Sequence, residues 1–363
     1  MLFLKYPNIE FNFKNKKIAG FDLDYTLIKP KSGKKFPVDS NDWMWLFPEV
    51  KDILIEIAKK DTHIITIFTN QLGLANGKTT IDELKEKYKQ IHESLNIQLV
   101  FLVSDKDDIF RKPRIGLWEF LKKKGIDNNH SYYVGDAAGR LKDGLYKKDH
   151  SDSDRKFAYN IGIDFYSPEV FFLSNKDKGK EREWQYQGYL LDYDNKQTPK
   201  YEKIKHTLKL DTYKQNIILI TGLPGSGKTY LSKKLEDKYN YEYLSKDKYN
   251  GISSKLLINK LKNIISDGKS VIIEGLMYTN DQREQYLDIA KDYNKYIIIM
   301  KTDMNLAFHL NTLRFLNDNG KLIPKVVYHT YNKYFEEPNI SKYDKTFEYH
   351  PKINKEINKY FLS

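Results

Sequence analysis

Gly222-Leu223-Pro224-Gly225-Ser226-Gly227-Lys228-Thr229 fits the pattern G-x-x-x-x-G-K-[ST]. The run before it, Asn216 to Thr221, is apolar and β-branched and reads as a buried strand. The run after it, Tyr230 to Tyr239, has helical spacing. Strand, glycine-rich turn and helix form the context in which this motif works. Backbone N–H groups and the positive end of the helix then face a phosphate chain. Gly222, Gly225, Ser226 and Gly227 would form the cradle. Lys228 would reach the β- and γ-phosphates, and the Thr229 hydroxyl would sit on Mg²⁺. With both flanks in place a chance glycine-rich loop is the weaker reading, and a nucleoside triphosphate such as ATP, with Mg²⁺, is expected. The motif leaves open which acceptor it serves and what the residues upstream of it do.

A chain of 363 residues is expected to hold two domains. It has no cysteine, which excludes disulfides, thiolate nucleophiles and cysteine-based metal sites. No apolar run approaches transmembrane length, and Pro7 breaks the N-terminal stretch too early for a signal peptide. A soluble, intracellular chain away from membranes is therefore expected, with nucleus and cytoplasm both open. The formal charge is +12. A polyanion such as nucleic acid is the natural partner of such a surface, and a lysine-rich solvated face is the bland alternative.

The first half alternates strands and helices. Strands are read at Lys17–Phe21, His63–Phe68, Ile97–Val103 and Ser131–Val134, and helices at Glu49–Lys59, Ile81–Leu95 and Ile115–Lys124. This order implies an α/β domain with a parallel sheet and helices on both faces. In such sheets ligands bind beyond the carboxyl ends of the strands. Asp22, Asp24, Thr69, Asn70 and Asp136 all fall at such ends. Ordinary turn chemistry would explain one or two of them, but three strands ending this way point to a site. Asp22 and Asp24 share a turn, and Asp136 would approach from a neighbouring strand. Together they make an oxygen-rich site suited to Mg²⁺. One carboxylate there can attack a phosphorus atom. The other can protonate the leaving oxygen and then activate water. Lys112 offers a cation for the phosphate, although taken alone it reads as a solvated lysine.

The second half repeats the alternation around the quoted motif. Tyr241 to Asp247 reads as a strand ending in a carboxylate, and Ser270–Glu274 and Tyr296–Met300 as buried strands. Ala307 to Phe315 has helical spacing and carries Arg314, a cation suited to a lid over a transferring phosphoryl group. His309 on the same helix reads as a packing or surface residue. The boundaries are placed at 1–175 for the first domain, 176–208 for a charged, proline-broken linker, and 209–363 for the second domain. Trp184 to Tyr193, within the linker, is aromatic enough to pack on one of the domains.

At this point longer strings carry a resemblance. Asp22-Leu23-Asp24-Tyr25-Thr26, Thr69, Lys112 and Gly135-Asp136 resemble the four motifs of haloacid dehalogenase-type phosphatases. Ser32 to Pro37, Asp42-Trp43, Phe68 to Gln71, Arg111-Lys112-Pro113, Val134 to Arg140 and Asp154 to Phe172 are similar, in order, to the polynucleotide kinase 3′-phosphatase family. Asn311 to Phe315 and Tyr328 to Pro338 resemble that family's kinase domain.

The resemblance implies an N-terminal haloacid dehalogenase-like domain fused to a P-loop kinase. It implies Asp22 as nucleophile, Asp24 as general acid/base, and Asp136 as a Mg²⁺ ligand beside Asp22 and the backbone of Asp24. Thr69, Asn70 and Lys112 would bind phosphate. Asp247 would be the kinase base and Arg314 its lid arginine. Lys34, Lys35, Arg140 and Arg283 are candidate nucleic-acid contacts. Two departures stand out. Tyr25 occupies a position that is usually Gly, so it is expected to reshape the turn or cover the entrance. Glu274-Gly275-Leu276 replaces a usual Asp-Asn-Thr-Asn, with Thr279-Asn280 as a partial substitute. The phosphopeptide-binding domain of vertebrate members is expected to be absent.

About 24 residues separate Asp24 from the next helix. That is room for a flap but not for a large cap, so a polymer end could enter. The expected function is DNA end healing: 3′-phosphate removal and 5′-hydroxyl phosphorylation, with a ligase as a prospective partner and a monomer as the working form. RNA ends are the first alternative. A fusion of a metabolite phosphatase with a small-molecule kinase is the second, and a non-catalytic end-binding module the third. The basic charge and short flap weigh against the second, and the retained carboxylates and Lys228 against the third.

Overall fold

A computed structural model describes residues 1–144, 146–173, 181–189, 210–211, 213–318, 321–351 and 359–363. The chain divides into two compact units, Met1–Leu191 with Lys359–Ser363, and Asp192–Asn358.

The first unit runs β1 (Leu2–Tyr6), β2 (Lys17–Phe21), β3 (Ile28–Lys29), β4 (Met44–Trp45), α1 (Glu49–Lys59), β5 (His63–Asn70), α2 (Ile81–Leu95), β6 (Leu99–Ser104), α3 (Gly116–Lys122), β7 (Tyr132–Val134), α4 (Ser153–Ile161), β8 (Asp164–Tyr166) and α5 (Pro168–Phe172). Its six-stranded sheet has the order β1-β6-β5-β2-β7-β8. Only β1 is antiparallel to its neighbour, with Leu2 opposite Val103. The strands are buried on both faces, so alternate residues feed two cores. Leu99, Phe101 and Val103 of β6 join Tyr88 and Leu84 on one side. Val100 and Leu102 join Phe68, Trp118 and Phe157 on the other. Helix α2 starts where the sequence says it should. Thr80 Oγ1 accepts from the Glu83 N–H at 3.2 Å, and Glu83 Oε2 accepts from the Thr80 N–H at 2.7 Å. This reciprocal cap satisfies two otherwise orphaned donors.

The second unit runs β9 (Asn216–Thr221), α6 (Lys228–Tyr239), β10 (Glu242–Ser245), a 3₁₀ turn (Asp247–Tyr249), α7 (Ser254–Ser266), β11 (Val271–Gly275), α8 (Asn280–Leu287), β12 (Asn294–Met300), α9 (Met304–Asp318), α10 (Lys325–Tyr334) and β13 (Lys345–Tyr349). Its sheet is parallel throughout, in the order β10-β11-β9-β12-β13. Ile217 and Leu219 face one core, Ile218 and Ile220 the other. In both units the strand bearing the key motif is central. β2 lies between β5 and β7, and β9 between β11 and β12. The connections diverge to either side of these strands, which opens a crevice at their carboxyl ends.

Of residues 176–208, only 181–189 are described, and they pack on the first unit. The Leu141 N–H donates to Glu183 O at 2.8 Å, and the Gln185 N–H to Gly139 O at 3.0 Å. The Arg155 guanidinium lies 3.9 Å from the centre of the Trp184 ring. Backbone pairing and an aromatic contact thus hold this stretch on the first unit, in keeping with the aromatic run that begins at Trp184. Residues 359–363 also belong to this unit, with Phe361 only 2% exposed.

Candidate active sites

The Asp22 N–H, just past β2, donates to Val134 O on β7 at 2.9 Å. That bond places the Asp22 carboxyl at the central strand's end. Lys112 reaches it from the loop before α3. Asn70, closing β5, clamps that loop: its Oδ1 accepts from the Lys112 N–H at 3.0 Å and its Nδ2 donates to Lys112 O at 3.2 Å. The ammonium then donates to Asp22 Oδ1 at 2.6 Å, Asp154 Oδ1 at 2.7 Å and the Tyr133 hydroxyl at 2.7 Å. All three of its protons are used, and the residue is 3% exposed. A solvated lysine is therefore not what the fold makes of it.

Asp154 enters from the first turn of α4, where its Oδ2 accepts from the Ala137 N–H at 3.0 Å. Gly135 makes room for it: a Cβ there would lie 2.5 Å from the Asp154 carboxyl. Asp136 is fixed by its N–H donating to Thr26 Oγ1 at 2.9 Å. Burial raises the Asp22 carboxyl to about 7, with Asp154 and Asp24 adding to the rise and Lys112 opposing it. Burial and the charges of Asp22 and Asp154 likewise push Asp136 well up. Burial alone would lower Lys112, but Asp154 and Asp22 raise it overall.

Oxygen atoms of Asp22, Asp136 and Asp154 all lie within 4.8 Å of one another. Three crowded hard oxygen donors fit Mg²⁺. Asp154 adds a carboxylate that the expected ligand set did not include, and the Asp24 carboxyl accepts from Gln71 Nε2 at 2.8 Å. The same amide group donates to Thr69 Oγ1 at 2.9 Å, so Gln71 ties two strand-end residues together. Asn70 also differs from expectation, because its side-chain amide is spent on the Lys112 backbone rather than aimed at a phosphate.

Arg140 is buried. It donates to Asp149 Oδ2 at 2.8 Å, to the Glu169 carboxylate, and to Asp136 O at 3.1 Å. It anchors the Asp136 loop and is not placed to meet a strand. Arg283 is wholly buried as well, with Nη2 donating to Asn280 Oδ1 at 3.0 Å and to Glu336 O. Both were expected as nucleic-acid contacts, and both are corrected by their burial. Lys34 and Lys35 are exposed on the loop between β3 and β4.

In the second unit the glycine-rich turn leads from β9 into α6. Gly225 has φ +76°, and a Cβ there would lie 2.2 Å from Ala307 O of α9. The turn and α9 therefore touch at a place where no side chain fits. Lys228 Nζ donates to Gly222 O at 2.9 Å and Leu223 O at 2.8 Å, folding back over its own loop. Burial pulls this ammonium down to about 8; Glu274 and Asp247 oppose the fall, and Arg314 adds to it. These four residues thus share one electrostatic site. A half-buried cation on a glycine-rich loop at the start of a helix fits a triphosphate. Thr229 Oγ1 donates to Glu274 Oε1 at 2.7 Å, and the Tyr243 hydroxyl donates to Glu274 Oε2 at 2.6 Å. The hydroxyl and carboxylate oxygens of Thr229 and Glu274 fit Mg²⁺.

Asp247 opens the 3₁₀ turn after β10 and is exposed. Arg314 is exposed on α9, donating to Asn311 Oδ1 at 3.1 Å. His309 is buried within α9, as a packing residue would be. Thr279 caps α8, accepting from the Gln282 N–H at 3.3 Å, and the Asn280 N–H donates to Glu336 Oε2 at 2.7 Å. Both therefore serve the local fold.

Sequence reasoning missed Asp154, Tyr133, Gln71 and Glu274. Glu274 carried a usable signal, a carboxylate closing an apolar strand beside the P-loop strand. Asp154 opened a string that resembles the family but was given no role there, since the docking of α4 on Gly135 is what brings it in.

The family model described as polynucleotide kinase 3 phosphatase matches residues 17–172, and the model described as AAA domain matches residues 217–338. The bifunctional polynucleotide phosphatase/kinase of Schizosaccharomyces pombe is 33% identical over 337 residues, covering 91% of this chain and 78% of that protein. A relative from Acanthamoeba polyphaga mimivirus is 32% identical over 368 residues, covering 92% of this chain and 83% of that protein. The polynucleotide 3′-phosphatase of Saccharomyces cerevisiae is 30% identical over 226 residues, covering 46% of this chain and 92% of that protein. Two carboxylate-and-lysine sites in this order, and identity of about one third along nine-tenths of the chain, lead to one conclusion: the chain belongs to the bifunctional polynucleotide phosphatase/kinase family.

Proposed function

We propose that the chain heals nucleic-acid ends, removing a 3′-phosphate in its first unit and phosphorylating a 5′-hydroxyl in its second. The observation that carries this reading is the Lys112 ammonium held between Asp22 and Asp154 beside Asp136. Lys112 engages Oδ1 of Asp22, which leaves Oδ2 for the phosphorus. The Asp22 oxygen forms a bond to phosphorus as the bond to the 3′-oxygen breaks. Asp24 gives its proton to that oxygen, and the strand leaves with a 3′-hydroxyl. Asp24, now a carboxylate, takes a proton from water. The resulting hydroxide attacks the aspartyl-phosphate, releasing inorganic phosphate and restoring Asp22. Asp22, Asp136 and Asp154 would hold Mg²⁺, which when bound would supply positive charge against the phosphate and the crowded carboxylates.

In the second unit Asp247 takes the proton of the 5′-hydroxyl, whose oxygen attacks the γ-phosphorus of ATP as ADP departs. Lys228 and Arg314 bear on the charge developing there. Thr229 and Glu274 would hold the Mg²⁺ that accompanies the nucleotide. The products, a 3′-hydroxyl and a 5′-phosphate, are the ends a ligase joins. The family relationship and the basic charge support a polynucleotide over a small metabolite.

The test supplies Mg²⁺, labelled ATP and oligonucleotides with 5′-hydroxyl and 3′-phosphate ends, in DNA and RNA forms. Release of phosphate and incorporation of label on DNA are expected. Activity confined to RNA would move the substrate to RNA ends. Absence of both activities on every polynucleotide would overturn the reading.

A further inference from the structure

Tyr25 sits inside the catalytic turn, between Asp24 and Thr26, with φ +61°. That left-handed conformation is unfavourable for a residue with a bulky side chain. The turn itself does not call for one. It is closed by backbone bonds, Tyr25 N–H to Ile28 O at 2.7 Å and Leu27 N–H to Leu23 O at 2.9 Å. A glycine would serve the backbone better, so the reason for tyrosine lies in what its side chain does.

The Tyr25 hydroxyl leaves the turn and donates to Lys35 O at 2.7 Å. Lys35 lies at the tip of the flap that joins β3 to β4. The flap is also closed on itself. Asp42, buried at its base, accepts from Ser32 N–H and Ser32 Oγ, each at 2.7 Å, and from the Val38 N–H at 2.9 Å. Asp42 thus shapes the loop, whereas Tyr25 ties its tip to the turn that bears Asp22 and Asp24. The outer surface of the tip is unusual for a solvated loop. Phe36 is 70% exposed and Val38 57% exposed, with Lys34 and Lys35 exposed between β3 and Phe36. Lys35 Nζ lies 5.5 Å from the centre of the Phe36 ring. An exposed ring with one ammonium near it and a second exposed lysine one residue further along the loop suits a base and its neighbouring phosphates.

We propose that Tyr25 is a positioning residue. It pins the flap against the catalytic turn, so that Phe36, Lys34 and Lys35 meet the nucleotides preceding the 3′-phosphate and favour a polynucleotide over a small phosphate ester. This rests on reading the first unit as a polynucleotide 3′-phosphatase.

The experiment compares the full-length wild type with Tyr25→Phe and Tyr25→Gly. Substrates are a 3′-phosphorylated oligodeoxynucleotide and p-nitrophenyl phosphate, and amide hydrogen exchange is followed in residues 31–41. Tyr25→Phe loses only the hydroxyl tie, and Tyr25→Gly also relieves the turn. Both are expected to raise KM for the oligonucleotide about five- to tenfold. Turnover at saturation and hydrolysis of p-nitrophenyl phosphate should stay within about twofold, and the flap amides should exchange faster. Unchanged KM in both variants would overturn the proposal, as would an equal loss on both substrates, which would place Tyr25 in the chemistry. Unchanged flap exchange in Tyr25→Phe would also overturn it. A wild type with no preference for the oligonucleotide would instead defeat the polynucleotide reading, and flap exchange would still decide whether the tie exists.

Discussion

Lys112 shows how a single side chain organises the first site. Its ammonium is buried between Asp22 and Asp154, and removing one partner of such a group leaves uncompensated charge in a dry place. Lys112→Ala is expected to lower stability by about 3 kcal/mol, read by urea denaturation of the metal-free protein. It should also lower 3′-dephosphorylation by at least about 100-fold, because the phosphate and the nucleophile lose their cation. Lys228 makes a different prediction. Its ammonium is half protonated near pH 8 when only its own loop holds it. A bound triphosphate favours the charged form, so above pH 8 nucleotide binding must bring in a proton. Affinity for ATP should be flat below about pH 7 and fall towards tenfold per pH unit above 8. Calorimetry in buffers of different ionisation enthalpy would detect the proton taken up, and pH-independent binding would refute the shift. At this scale the sequence was legible where a residue follows its own strand. Asp22, Asp24, Asp136 and Lys228 could be named from local pattern. Asp154 could not, because a separate helix delivers it. Arg140 and Arg283 looked like surface cations, because sequence cannot tell a solvated guanidinium from one paired inside.

Two amphipathic helices were readable to the residue, and the buried strands to within one or two residues at their ends. Helices Glu49–Lys59 and Ile81–Leu95 stand where their periodicity put them. Strand β1 escaped, since its five residues are all half-buried and its partner lies about a hundred residues away, at β6. The docking of residues 359–363 on α4 escaped for the same reason. There the Asn160 side chain bonds Phe361 at both its N–H and its carbonyl, each at 2.8 Å, and Arg114 Nε donates to Leu362 O at 3.1 Å. Helix α4 also carries Asp154, so this contact supports a catalytic element. Phe361→Ala should destabilise the first unit by about 3 kcal/mol. It should lower the temperature at which 3′-phosphatase activity is lost, while the concentration of ATP that half-saturates the second unit stays the same. Heat inactivation of the two activities side by side would check this. Parallel loss at one temperature would contradict it.

At the scale of the whole molecule, two sheets each carry a motif strand at their centre, and the net charge is +12. Polynucleotide binding should therefore weaken with salt. KM for a 3′-phosphorylated oligonucleotide should rise by at least about tenfold between 50 and 200 mM salt, while turnover of p-nitrophenyl phosphate should barely change. Equal salt responses would place the charge effect in the chemistry rather than in strand capture. The two-domain plan was legible from the order of the motifs. The two units divide at Leu191 and Asp192, within the stretch 176–208, and residues 181–189 of that stretch pack on the first unit.

The central claim is that one chain holds two independent sites for the two ends of a strand. The most direct measurement uses one oligonucleotide bearing a 5′-hydroxyl and a 3′-phosphate, incubated with Mg²⁺ and labelled ATP and either Asp22→Asn or Lys228→Ala. Asp22→Asn should label the 5′-end normally and leave the 3′-phosphate in place. Lys228→Ala should free the 3′-hydroxyl normally and add no label. Loss of both activities in either correctly folded variant would contradict the account.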